Sequence, residues 1–184
     1  MTTRDLAVLR FLSDFKVCRV SAISQLFFGG NLRVAQRRLK AMYDSKQIKR
    51  AMGREFVYYT KLPDEIEHAL AVTDYLHYLA LKHRVDDMRA EYECNHLQAD
   101  ALVRIDGKQH FIEVQRTGIP DLLKYLKLLN SKAWQSEFEQ FPRVRLLSSV
   151  RPKDCGVDVV VDDMRAYSLA MRQIYADCTL GVRQ

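Results

Sequence analysis

QADALVRIDGKQHFIEVQR, residues 98–116, is the stretch that decides the fold of the second half of this chain. Side chains alternate between the two faces of an extended strand through Ala101–Ile105. The dipeptide Asp106-Gly107 that follows is a strong signal for a tight hairpin turn. A return strand is predicted over Gln109–Gln115. The stretch therefore predicts a β-hairpin.

Two carboxylates fall at the adjoining ends of this hairpin. Asp100 begins the first strand and Glu113 lies near the end of the second, so strand pairing brings them close. Such a pair can hold a hard cation such as Mg²⁺, which is the chemistry of a metal-dependent nuclease. The same spacing also fits a strand-start cap at Asp100 and a solvated strand residue at Glu113. Alternation places Gln115 on the face of Glu113.

Length and composition narrow the class of protein. The 184 residues suffice for one domain or two small ones, and the hydrophobic fraction of 48% is ordinary for a globular chain. No apolar run reaches the roughly 18 residues of a membrane span, and the first residues lack a signal-peptide pattern. The four cysteines are scattered singly, which favours free thiols in a reducing cytoplasm. We expect a cytoplasmic protein without a membrane partner.

The charge is unevenly distributed along the chain. Residues 1–62 contain 13 Lys and Arg against four Asp and Glu, a net charge of +9. The whole chain carries +6, so the remainder is mildly acidic at −3. A basic module of this kind indicates a polyanionic partner for the N-terminal third.

Residues 1–62 predict three helices and a strand, over Thr3–Asp14, Ser21–Phe28, Leu32–Ser45 and Glu55–Thr60. Ser21 and Asn31 are candidate N-caps of the second and third helices. Gly29-Gly30 ends the second helix. Three helices followed by a hairpin follow the plan of a winged helix-turn-helix domain, in which the third helix reads double-stranded DNA in the major groove.

The polar face of the third helix supplies candidate base contacts at Arg33, Gln36, Arg37 and Lys40. Arg can bond guanine and Gln adenine through two hydrogen bonds each. The wing supplies candidate phosphate contacts at Lys46, Lys49, Arg50 and Arg54. A solvated basic helix in a three-helix bundle would show the same face, but the order of caps, turn and wing favours DNA binding.

The remaining chain predicts a connector and an α/β domain. A long helix over about Glu65–Arg84 connects the modules, giving domains 1–62, 63–88 and 89–184. A strand over Glu91–Leu97 precedes the hairpin, and Glu91 or Glu93 could assist its carboxylates. Pro120 starts a helix that carries Lys124, Tyr125 and Lys127 close to the end of the Glu113 strand, with Lys124 or Lys127 as the expected partner of the carboxylates. The later elements are predicted as strands at Arg143–Val150 and Gly156–Val161 and a helix at Met164–Asp177.

Three stretches together resemble the replication-relaxation family of plasmid and conjugative-element proteins. They are VSAISQLFF with AQRRLKAMYDSKQIKR, then ADALVRIDGKQHFIEVQRTG, then LLKYLKLL, and the resemblance covers most of the chain in outline. It implies an N-terminal winged helix and a C-terminal domain like the PD-(D/E)xK nuclease fold, a mixed sheet with flanking helices. The overall class is then α+β or α/β.

The nuclease-like motif departs from the family pattern at Gln115 and also at Ala99, which replaces the motif's Pro. Asp100 matches the Asp and Glu113 the Glu, but Gln115 stands where the catalytic Lys is expected. A neutral amide cannot supply the positive charge of that Lys. The resemblance therefore implies a DNA-binding accessory protein in plasmid replication, relaxation or transfer, with an inactive nuclease-like domain. It also implies relaxase or other replication and transfer proteins, or a second copy of the chain, as possible partners.

Two other functions stay open. The first is an active Mg²⁺-dependent endonuclease with Asp100 and Glu113 as metal ligands and Gln115 placing the water. The second is a winged-helix transcriptional regulator whose second domain dimerises or senses a ligand.

Overall fold

The chain is α+β in a computed structural model that describes residues 1–53, 55–154 and 156–180, with side chains through residue 173. Six α-helices, a 3₁₀ helix and eight strands in two sheets lie within these residues. Two compact units emerge, one from Met1–His83 with the chain from Ser168 onward, the other from Arg84–Tyr167. No helix in the described part of the chain is both long enough and apolar enough to cross a membrane.

The first unit contains four helices and a three-stranded antiparallel sheet in its N-terminal segment. Its elements are α1 (Thr3–Asp14), β1 (Val17–Arg19), α2 (Val20–Phe28), α3 (Leu32–Asp44), β2 (Lys49–Met52), β3 (Phe56–Tyr59) and α4 (Ile66–Ala80). The strand order is β1-β3-β2. On α3, Ala35, Leu39 and Met42 are buried at helical spacing, which leaves the opposite face in solvent.

Local capping explains several of these helix ends. Thr2 and Asp5 form a reciprocal capping box at α1. The side chain of Asn31 accepts a hydrogen bond from the Val34 N–H at 3.1 Å, which confirms the predicted cap of α3. Gly29 is left-handed at φ 59° and ends α2, as predicted.

The predicted cap at Ser21 is wrong. Helix α2 begins one residue earlier, at Val20, without a side-chain cap. The backbone N–H and hydroxyl of Ser21 instead donate to the carboxylate of Glu55, each at 3.0 Å. This bond joins the start of α2 to the hairpin of β2 and β3.

Helix α4 packs within the first unit. Tyr75, Leu76 and Leu79 are fully buried on it. Arg19 on β1 donates to Asp74 at 3.0 Å, and a side-chain amide on α2 donates to the carbonyl of Ala80. The expected connector over 63–88 therefore differs from the observed division, which keeps the chain through His83, and from Ser168 on, in the first unit.

The second unit is built on a five-stranded mixed sheet in the order β4-β5-β6-β7-β8. Its elements are β4 (Val85–Cys94), β5 (Leu97–Ile105), β6 (Lys108–Gln115), α5 (Leu123–Ser131), the 3₁₀ helix α6 (Ala133–Ser136), β7 (Arg143–Ser148) and β8 (Val159–Asp163). Strands β4, β5 and β6 are antiparallel, whereas β6, β7 and β8 are parallel. Helix α7 (Met164–Leu180) follows β8.

Turns explain which strands and helices predicted for the second unit are confirmed and which differ in the structure. Asp106-Gly107 has positive φ at both residues and joins β5 to β6, as predicted. Asn95-His96 makes a second turn with positive φ at both residues, so the strand predicted over Glu91–Leu97 is two strands. Lys132 is left-handed at φ 57° and ends α5 early, and α5 starts three residues after Pro120 rather than at it.

Candidate functional site

The predicted carboxylates lie on neighbouring interior strands of the sheet. β5 pairs with β6 so that Ala101 faces Ile112, and one further step of this register sets Asp100 across from Glu113. The Asp100 carboxylate accepts a hydrogen bond from the Val114 N–H at 2.7 Å. The strand pairing therefore brings the two carboxylates together, on strands that are flanked by others on both sides.

Helix α5 supplies the partners of Glu113. Leu102 and Phe111 face α5 in the core of the second unit, and Glu113 is two residues beyond Phe111 on the same strand. The Lys124 ammonium lies 2.5 Å from Glu113 Oε1 and also donates to the carbonyl of Gln98 at 2.7 Å. The predicted lysine partner is thus Lys124, whereas Lys127 is exposed.

A tyrosine hydroxyl completes this cluster, at a position that the sequence predicts to lie close to the end of the Glu113 strand. The Tyr125 hydroxyl donates to Glu113 Oε1. Tyr125 is fully buried against Phe111, with ring centroids 5.3 Å apart. The sequence predicts the position of Tyr125 beside Lys124, but it does not predict the hydrogen bond from the hydroxyl to Glu113.

Burial and charge oppose each other at Glu113. Burial raises the pKa of Glu113, and the Asp100 carboxylate adds to the rise, while Lys124 and Tyr125 lower it. Burial also raises the pKa of Tyr125 well above its usual value, and the nearby Glu113 carboxylate adds to that rise. Tyr125 is therefore a hydrogen-bond donor here, and Lys124 is the cation that balances Glu113.

The residues as placed do not fit a divalent cation. Within the described chain, no three His, Cys, Asp or Glu side chains group as metal ligands. Glu91 and Glu93 are exposed. The Gln115 amide donates to the carbonyl of Thr117. The Glu113 oxygen Oε1, which would face a cation, contacts the Lys124 ammonium instead.

The polar face of α3 presents a mixed set of side chains. Arg33 and Arg37 are exposed one helical turn apart, and Gln36 between them is half-buried. Lys40 is exposed but lies 2.5 Å from Asp44, so its charge is partly balanced within the helix. Arg33 and Arg37 are therefore the strongest candidates on this face for contact with an anion.

The basic residues at the hairpin of β2 and β3 differ in their exposure and contacts. Lys46 and Lys49 are exposed. The Arg50 guanidinium stacks on the rings of Tyr43, at 4.2 Å, and Phe56, at 4.6 Å. Arg50 thus ties the end of α3 to the hairpin. Arg54 lies outside the described residues.

An ion pair beneath α3 was missed by the sequence analysis. Arg38 bonds the buried carboxylate of Asp5 through two guanidinium nitrogens, with Nε 3.2 Å from Oδ1. This contact lowers the pKa of Asp5 to about 2, mainly through the hydrogen bond from Arg38. Arg38 sits beside Arg37 in sequence but points towards α1, so it holds α3 in place.

Comparisons with known proteins give no assignment. No protein-family model matches the chain, and no curated protein matches it. One solved structure, protein VC1899 from Vibrio cholerae, is similar over 93% of this chain and 50% of its own length, at 15% identity and a TM-score of 0.38. The chain thus spans half the length of that protein, and a likeness at this level does not establish a shared fold.

Proposed function

We propose that this chain is a DNA-binding accessory protein of a plasmid or mobile element, acting in replication, relaxation or transfer. One observation carries the proposal. The exposed guanidinium groups of Arg33 and Arg37 lie on α3, the third helix of a helix-strand-helix-helix-hairpin order in a segment of net charge +9. Such a helix can enter the major groove while the adjoining hairpin contacts phosphates.

We interpret the first unit as a winged helix. The order α1-β1-α2-α3-β2-β3 and the antiparallel sheet β1-β3-β2 support this interpretation. Two contacts would keep α3 rigid against the body of the unit, namely the Arg38–Asp5 pair beneath it and Arg50 at its end. A rigid recognition helix loses less conformational entropy when it binds.

We interpret the second unit as an inactive nuclease-like domain. Three antiparallel strands, a helix and a parallel strand, with Asp100 and Glu113 on neighbouring strands, support the nuclease-like plan. Lys124 supports inactivity, because its ammonium already balances Glu113. Such a domain would serve as a clamp on DNA or as a docking surface for a relaxase, another transfer protein or a second copy of the chain.

The first test is the salt dependence of duplex binding. The full chain should bind double-stranded DNA with an affinity that falls steeply with salt, since each phosphate contact releases counterions. Arg37→Ala should weaken binding, whereas Lys127→Ala, which removes an exposed charge on α5, should not. Equal affinity at low and high salt, or equal loss in both variants, would contradict the proposal.

A second test separates base from phosphate contacts. Arg37→Ala should reduce sequence preference, because one good base contact contributes roughly 1–3 kcal/mol of discrimination. Lys49→Ala should weaken binding to all sequences alike. A competition assay between a selected site and random duplex measures both, and the opposite ranking would reverse the placement of α3.

A metal-dependent endonuclease is the second candidate, and one observation favours it. The Lys124 amine lies at Glu113, close to where the missing lysine of the motif would act. This function requires Mg²⁺ at Asp100 and Glu113, with the Lys124 amine shifted from Glu113 but still close enough to act as that lysine. Incubation of the protein with supercoiled plasmid, with and without Mg²⁺ or Mn²⁺, decides between the candidates. Cleavage abolished by Glu113→Gln would establish the endonuclease.

A further inference from the structure

A cavity separate from the carboxylate pair lies on the sheet face that carries Glu113. It is a cavity of about 210 Å³ within the second unit. Its walls are apolar, from Leu122 beside α5 and from Val157, Val159 and Val161 at β8. Its rim carries Arg151, Lys153 and Asp154 from the segment after β7.

Strand register fixes the distance between this cavity and the carboxylates. Glu113 pairs with Leu146, and Leu146 pairs with Val161, so these three residues form one row across β6, β7 and β8. Neighbouring strands lie about 4.8 Å apart, so Val161 is about 10 Å from Glu113 across the sheet. Leu122 and Val157 belong to the same core as Tyr125, which places the cavity on the α5 side.

We propose that this cavity binds an unpaired nucleotide of single-stranded DNA, with the base against the valines and the adjoining phosphates at Arg151 and Lys153. The inference rests on the proposed function, because the ligand is a strand of the same polymer. A separation of about 10 Å corresponds to about three stacked nucleotides at 3.4 Å each, or to fewer in an extended strand. One strand can therefore meet both the Lys124 cluster and the cavity.

The chemistry of the cavity selects an unpaired base. A base in a duplex is stacked on both sides and cannot enter a recess on a protein surface. An unpaired base offers a flat apolar face to the valines, and its phosphates offer negative charge to two exposed cations.

Two variants of the full chain test the two halves of this site. Val161→Trp fills the cavity, and Arg151→Ala with Lys153→Ala removes the rim charges. Each should weaken binding of a fluorescently labelled oligothymidylate by about tenfold, which corresponds to about 1.4 kcal/mol of binding free energy. The rim variant should also reduce the slope of log affinity against log salt by about 1.4 for two lost phosphate contacts, whereas Val161→Trp should leave it unchanged.

The control removes the same charge from residues of the second unit that do not line the cavity. Lys108→Ala with Arg84→Ala alters exposed residues at the start of β6 and before β4, and binding should match the wild type. Urea unfolding of each variant confirms that the second unit stays folded. Wild-type affinity in either the filled or the rim variant overturns the proposal, because the base and its phosphates must both be engaged.

Duplex binding by the same preparations separates this inference from the proposed function. If the wild type fails to bind duplex while oligothymidylate binding still depends on Val161 and the rim, the proposed function fails and the cavity assignment stands. If duplex binding depends on Arg37 but the cavity variants bind oligothymidylate as tightly as the wild type, the assignment fails and the proposed function stands.

Discussion

The buried side chain of Asp5 takes part in two separate interactions. It is 1% exposed, closes the capping box with Thr2 and accepts two hydrogen bonds from Arg38. A buried carboxylate without partners would be costly, but here the hydrogen bonds and the cation more than offset burial. The net effect is the pKa of about 2.

We expect Asp5 to make the first unit sensitive to acid. Its pKa is lower in the folded chain than the ordinary 3.8, so its contribution is present above pH 3.8 and is lost as the pH falls towards 2. The contribution is about 2 kcal/mol. Asp5→Asn should therefore reduce the free energy of unfolding by about that amount at pH 7, and by much less at pH 2, in urea titrations.

The matched control for Asp5 is Asp64→Asn, which changes an exposed carboxylate in the same unit. It should leave the free energy of unfolding nearly unchanged at both pH values. A pH-independent effect of Asp5→Asn would show that the lost contact is not ionic.

Lys124 balances a carboxylate whose pKa is shifted in the opposite direction from that of Asp5. Glu113 has a raised pKa in the folded chain, so its ionisation costs stability as the pH rises through that pKa. Lys124→Met removes the balancing cation and should reduce the free energy of unfolding by about 2 kcal/mol at pH 7. The loss should shrink below pH 4.5, where Glu113 is protonated. Lys127→Met is the control, and an equal loss at both pH values would contradict the assigned pairing.

Contacts between residues close in sequence were predicted well, and distant ones were not. Asn31 caps α3 because its partner is three residues away. Ser21 bonds Glu55, 34 residues on, and no local pattern signals such a contact. At the candidate site, the hairpin register brought Asp100 and Glu113 together, whereas Tyr125 required knowledge of how α5 lies on the sheet.

Among the elements, α4 departs furthest from its expected role. The sequence predicted a connector, but its apolar positions are buried within the first unit. The helical period was visible in the sequence, yet periodicity alone does not say which unit a helix covers. Two strands at Asn95-His96 were read as one because neither residue is the glycine that usually marks such a turn.

Truncation of a buried side chain on α4 should destabilise the first unit. Leu76 is fully buried, so Leu76→Ala should reduce the free energy of unfolding by about 2–5 kcal/mol. Leu81→Ala, at a position 44% exposed just after the helix, is the control and should have little effect. Chemical denaturation followed by the fluorescence of residues in each unit measures the change, and a loss confined to the second unit would contradict the placement of α4.

At the scale of the whole molecule, the two units differ in the number of chain segments that form them. The second unit is one continuous segment, Arg84–Tyr167, whereas the first unit also needs the chain from Ser168 on. The predicted boundaries missed this because a helix after the last strand is compatible with either unit. Nothing in the composition of Met164–Leu180 distinguishes the two assignments.

Hydrogen exchange can verify this division. Met171 is 4% exposed on the part of α7 that belongs to the first unit. Met171→Ala should reduce stability by about 2–5 kcal/mol and speed exchange of amides in the first unit, but not in β5 and β6. Leu169→Ala, at an exposed position on the same helix, should change neither set. Faster exchange in β5 and β6 alone would assign α7 to the second unit.

The interrupted first unit also has a consequence for biosynthesis. Once His83 has been added, residues 84–167 must be made before Ser168 appears. At 5–20 residues per second this takes roughly 4–17 s. During that interval the second unit can already fold, while the surface that the later helix covers stays open to solvent. The first unit can therefore be completed only after the second unit has been synthesised, although most of its residues precede the second unit in the sequence.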